Sequence, residues 1–125
     1  MRFAPVYLAQ NQSMASSFKS TGVDLNQTVL YSIEAVFSGA PVGSFNLEVS
    51  NDIVPVDPSN TNPVGPDPAG NVVNWVTYTG SSTAVSGSGN FLWNVLEAGY
   101  RWVRVSYTAT SGSGSCTITF SGKGV

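Results

Sequence analysis

Apolar and polar residues alternate with a period of two along much of this chain, the spacing that places successive side chains on opposite faces of a β-strand. In residues 27–37, Val29, Tyr31, Ile33, Ala35 and Phe37 share one face, opposite Ser32 and Glu34. A Gly/Pro turn at 38–43 follows, and then Phe45, Leu47 and Val49 alternate with Asn46, Glu48 and Ser50. Two such runs around a turn predict a hairpin. Residues 72–78 form a weaker strand, with Val73, Trp75 and Thr77 opposed by Val72, Val76 and Tyr78. A short strand is expected at 82–86, a turn at 87–90, and a strand in which Phe91, Trp93 and Val95 alternate with Leu92 and Asn94. After a turn at 97–99 comes the strongest strand, 100–108. Arg101, Val103, Val105 and Tyr107 lie on one of its faces, and Tyr100, Trp102, Arg104 and Ser106 on the other. Large residues on both faces predict a strand covered on both sides. A Ser/Gly turn at 111–114 precedes Cys116, Ile118 and Phe120, which alternate with Thr117 and Thr119.

About seven or eight short strands separated by turns predict an all-β fold, an antiparallel β-sandwich of jelly-roll or Ig-like type. Alternation does not tell the strand order. Residues 1–26 stand apart: Phe3, Val6, Tyr7 and Leu8 are apolar, but 10–20 is mostly small and polar. This segment is either a first strand or an arm that orders against a neighbour. The sandwich domain is expected at 27–125. Within it, residues 51–71 hold Pro55, Pro58, Pro63, Pro66 and Pro68, which read as a long loop because proline removes ladder donors.

Composition narrows the function. Of the 125 residues 42% are hydrophobic and only 10% charged, against roughly 25% charged in ordinary soluble domains. The net charge is −2, and the basic residues are few: Arg2, Lys19, Arg101, Arg104 and Lys123. Phosphate-backbone binding needs clustered Lys and Arg, so no nucleic-acid partner is expected. Low charge also makes close association of many copies electrostatically cheap. A single cysteine cannot form an intrachain disulfide. The first residues lack an apolar signal core and no run of about 18 apolar residues occurs, so the expectation is a chain made in a cytoplasm without a membrane partner.

Reactive groups are scarce. The chain has no histidine, which removes the commonest general base and metal ligand. Glu34 and Glu48, on outward positions of the expected hairpin, are the one carboxylate pair that suits glycoside hydrolysis; paired solvated charges, or partners for Arg101 or Arg104, explain them as well. Asp52, Asp57 and Asp67 offer loop oxygens for calcium, but their spacing matches no compact calcium loop. Cys116 reads as a small buried hydrophobe. Trp75, Trp93, Trp102, Tyr100 and Tyr107 make either a sugar-stacking platform or sheet packing. Arg104, beside Tyr100 and Trp102, is expected to be stacked or ion-paired. The chain is therefore expected to be no enzyme and to hold no cofactor or metal.

Two stretches carry a family resemblance. One runs from Leu30 through Phe45, with Leu47 and Ser50-Asn51-Asp52; the other joins 91–95 to 99–105 with Tyr107 and Thr108. Over residues 27–123 the chain resembles small β-sandwich proteins encoded in the structural gene regions of bacteriophage and environmental viral genomes. The resemblance implies a virion component without saying which; the favoured reading is a capsid decoration or accessory protein that contacts a major capsid protein and forms a homo-oligomer. The alternative is a carbohydrate-binding module or phage tail or fibre component that binds host glycans. Contact residues are expected on the N-terminal segment at Phe3, Val6, Tyr7 and Leu8, and in the proline loop at Ile53, Val54, Val56 and Val64. An arm can add a strand to a neighbour's sheet, and a proline-stiffened loop loses little entropy on docking.

Overall fold

The computed structural model describes residues 4–25, 28–52, 66–67, 72–96 and 98–124. They form eleven strands: β1 (Val6–Ser13), β2 (Phe18–Lys19), β3 (Gly22–Asp24), β4 (Leu30–Gly39), β5 (Val42–Ser50), β6 (Pro66–Asp67), β7 (Val76–Thr77), β8 (Thr83–Ser86), β9 (Gly89–Val95), β10 (Trp102–Ser111) and β11 (Gly114–Lys123). A four-stranded sheet has the order β1-β11-β4-β9. A seven-stranded sheet follows β6-β3-β10-β5-β7, with β2 also pairing β10 and β8 also pairing β5. The pairings are antiparallel. The fold is an antiparallel β-sandwich. Setting aside the two-residue strands, its sheets run β1-β11-β4-β9 and β3-β10-β5-β8, the two interlocked Greek keys of a jelly roll.

The expected hairpin across 38–43 does not exist. β4 pairs with β11 and β9, whereas β5 pairs with β10, β7 and β8 in the facing sheet. The reversals between β8 and β9 and between β10 and β11 also pass from one sheet to the other. Alternation reports which face of a strand is buried, not which strand lies beside it, so a Gly/Pro reversal fits either geometry. Backbone bonds tie the three reversals together: Ala40 N–H donates to Ser113 O at 2.9 Å, and Gly87 N–H to Pro41 O at 2.9 Å. Gly112 has φ +75°, and a Cβ there would strike the Ala40 carbonyl, so glycine is required on both counts.

The inner faces interdigitate as the alternation predicts. Tyr31, Ile33, Ala35, Phe45, Leu47, Val103, Val105, Ile118 and Phe120 are fully buried. Residues 6–13 lie in the sheet against β11, with two register irregularities and Asn11 at φ 51°, a left-handed conformation that asparagine tolerates. Met14, Val23 and Leu25 join the core as well. β7 is far shorter than the strand expected at 72–78.

Both outer ladders of the larger sheet are interrupted, and a buried serine repairs each break. Between β2 and β3, Ser20 accepts the Val105 N–H on its hydroxyl at 2.8 Å. Between β7 and β8, Ser81 accepts the Leu47 N–H at 2.9 Å and donates to Tyr78 O at 2.6 Å. Buried backbone donors must be paired, and here a hydroxyl stands where a strand's carbonyl would. Ser81→Ala leaves the Leu47 N–H unpaired inside the fold and is expected to cost about 1–3 kcal/mol, read as a lower urea midpoint at unchanged slope. A loss within error of zero contradicts this account of the edge.

Candidate functional site

Each sheet has an outer face, and the two faces differ. On the larger sheet Trp102, Arg104 and Ser106 of β10 sit beside Ser50, Glu48 and Asn46 of β5 in direct register. The chain roofs this face itself. Glu48 accepts Arg104 Nε at 2.7 Å and pairs with Lys19 Nζ at 3.3 Å, while Lys19 also donates to Ser106 Oγ at 2.7 Å. The Arg104 guanidinium lies 4.2 Å from the Trp75 ring centre, so this arginine is both stacked and ion-paired. Trp102 donates its indole N–H to Asp52 O at 3.2 Å, and Arg101 bridges to Asp24 at 3.5 Å. Asp52 accepts the backbone N–H groups of Val73 and Asn74 at 2.8 and 3.0 Å, fastening 72–74 to the end of β5. Those bonds to the charged form hold its carboxyl below the usual carboxylate range.

The four-stranded sheet carries no such roof among the described residues. Its register lines up Tyr7, Thr119, Glu34 and Leu92 in one outward row. Flanking rows hold Thr117, Val36 and Asn90, and Ser121, Ser32 and Asn94. Tyr7, Val36 and Leu92 are 59%, 49% and 54% exposed, and Leu96, just past β9, is 67% exposed. Large apolar side chains grouped on one otherwise polar face mark a contact surface more often than scattered ones do. The outer side of β9 is also an edge, since β9 pairs with β4 alone among the described strands.

The expected site residues divide accordingly. Tyr7 projects from the open face, and Val6 is half-buried against the core. Leu8 turns inward and is 3% exposed, so it is a core residue and not a contact residue. Phe3, Ile53, Val54, Val56 and Val64 lie outside the described residues, as does Asp57. Sequence reasoning missed Val36, Leu92 and Leu96. The signal was present: Val36 follows Ser32 and Glu34 on the outward face of its strand, where a polar residue is the rule.

The chemistry considered at sequence level is not assembled. Glu34 and Glu48 lie on the outer faces of opposite sheets, because the hairpin expected to bring them together does not form. No group of three metal-binding side chains occurs among the described residues. Cys116 is buried, and burial pushes its thiol up to about 11, which leaves it protonated and unreactive near neutrality. Burial likewise raises the Tyr31 and Tyr100 phenols, which hydrogen-bond to each other. Trp93 and Trp102 are buried, and Trp75 is partly covered beneath Arg104, so the tryptophans are sheet packing and not an exposed platform. A groove of about 610 Å³ opens between β9 and the 78–81 turn, lined by Leu47, Tyr78, Trp93 and Leu96 among others. Its Ser81 hydroxyl and Trp93 N–H are already bonded within the fold. No protein-family model and no curated protein matches this chain.

Proposed function

We propose that the chain is a non-enzymatic structural protein of a virus particle, a capsid decoration or accessory protein that works through protein–protein contacts. The carrying observation is a jelly roll whose larger sheet is roofed by its own side chains while the smaller sheet presents a charge-poor, partly apolar face. Jelly rolls recur in viral capsids and in lectins, so the fold supports this reading by analogy and the face supports it by physics. The resemblance of residues 27–123 to phage and environmental virus proteins points the same way. On this reading the chain is made in the host cytoplasm, ends in the virion, and has a major capsid protein as neighbour. A glycan-binding role shares the fold, but it lacks the exposed tryptophans that stacking on sugars uses.

The test is whether the protein co-purifies with intact particles in a fixed ratio to the major capsid protein. Constant stoichiometry through density-gradient and size separation is expected. Absence from purified particles, together with retention on immobilised glycans, overturns the proposal in favour of the lectin-type role.

A further inference from the structure

We infer that the outer face of the four-stranded sheet binds a second copy of this chain across a twofold axis. The axis runs parallel to the sheet, midway between the two facing copies, and crosses the strands over the row Asn94, Ser32 and Ser121. The inference rests on the reading of the chain as a contact protein and names one partner for it.

Charge carries the argument first. On the larger sheet Lys19 and Arg104 both pair with the Glu48 carboxylate, and Arg101 bridges to Asp24. Glu34 and Lys123 have no ion-pair partner among the described residues. Both are exposed and both occupy outward positions of the four-stranded sheet. Lys123 stands opposite Leu30 on the neighbouring strand, and Glu34 opposite Thr119. Four residues along a strand and one strand across place them about 14 Å apart, too far to pair within one copy. One positive and one negative charge on a single face make that face self-complementary.

The twofold then fixes who meets whom. An axis along the Ser32–Ser121 row exchanges the rows on either side of it. Glu34 of one copy falls over the Leu30 and Lys123 row of the other, and the reverse holds, as an isologous interface requires. The same operation carries Leu92, from the Glu34 row, toward the end of the second copy's β9, which Leu96 follows. At the axis the outward residues are Ser32, Ser121 and Asn94, small enough to let two sheets approach. Aligned sheets pack about 10 Å apart with strands rotated by about 30°, which suits two equally twisted faces. The rows that the axis exchanges span three strands by about five residues, roughly 250 Å² of footprint per copy. That area belongs to weak, reversible interfaces, as suits a contact reinforced by arrangement on a larger assembly.

The experiment is sedimentation equilibrium on the full chain, from micromolar to millimolar concentration. A monomer–dimer equilibrium is expected for the natural sequence. Glu34→Lys and Lys123→Glu each set like charges against each other and should weaken dimerisation roughly tenfold. The double reversal E34K/K123E restores opposite charges across the axis and should recover most of that loss. Leu92→Glu should abolish the dimer. These side chains are exposed, so the variants keep their fold, which circular dichroism checks. A chain that stays monomeric throughout, or a double reversal no better than the singles, overturns the inference. Co-purification of that monomeric chain with particles would show that only the self-contact failed and that the broader reading stands.

Discussion

Phe45→Ala is expected to lower the unfolding free energy by about 3–5 kcal/mol, the usual range for removing a fully buried phenylalanine. The ring belongs to β5 but does its packing across the sandwich. Its centre lies 4.9 Å from Tyr107 in its own sheet, and 5.9 and 5.7 Å from Trp93 and Phe37 in the opposite one. Deleting it opens a cavity between layers that are joined largely by such contacts, since the turns alone cross the gap covalently. A domain of this size is stable by about 5–15 kcal/mol, so the variant approaches the threshold of folding. Urea denaturation followed by tryptophan fluorescence measures the loss. Phe45→Leu, which keeps the site apolar and fills more of it, should recover a substantial part. A loss below about 1 kcal/mol for the alanine variant would contradict the aromatic cluster as the joint between sheets.

Gly43→Val is the second large effect. Gly43 sits in β5 opposite Ala109 of β10, in ordinary strand geometry, so conformational freedom is not the reason for glycine. The reason is space: a Cβ at this position would lie 2.7 Å from the Tyr107 hydroxyl oxygen and closer still to the Thr108 carbonyl oxygen. Backbone cannot yield as the tip of a flexible side chain can, so the β5–β10 ladder must open near the turn. A cost of about 3 kcal/mol is expected, at the upper end of ordinary overpacking. For a chain of this length that corresponds to a fall in Tm of about 10 °C. Calorimetry tests it, with Gly43→Ala as the milder step. If the alanine variant melts with the parent, the close approach is wrong.

How far these features can be read from sequence depends on what alternation encodes. The inward faces of β4 and β10 were legible, because Tyr31, Ile33 and Ala35, and Val103, Val105 and Tyr107, keep strict period two. The covered outer face of β10 was legible too, from Trp102 and Arg104. The identity of the cover was not: Trp75 and Lys19 arrive from distant segments that no local pattern links to β10. Sheet membership was hidden for the same reason, and the false hairpin at 38–43 followed from it. Leu8 was expected as a contact because residues 1–26 read as an arm, whereas Val6, Tyr7 and Leu8 keep period two and turn Leu8 toward the core. On the open face Tyr7 was visible as one of the apolar residues of the N-terminal segment. Leu92 was not, since β9 is apolar on both faces over 91–93 and so shows no outward side.

The claim on which the account turns is that the outer face of the four-stranded sheet is the working surface of this protein. Hydroxyl-radical footprinting of the dilute chain and of the chain within purified particles tests it side by side. Tyr7, Leu92 and Leu96 are expected to lose reactivity on incorporation, while Val73 and Val76 at the edge of the larger sheet keep theirs. Unchanged reactivity at the first three residues, or protection confined to Val73 and Val76, would contradict it.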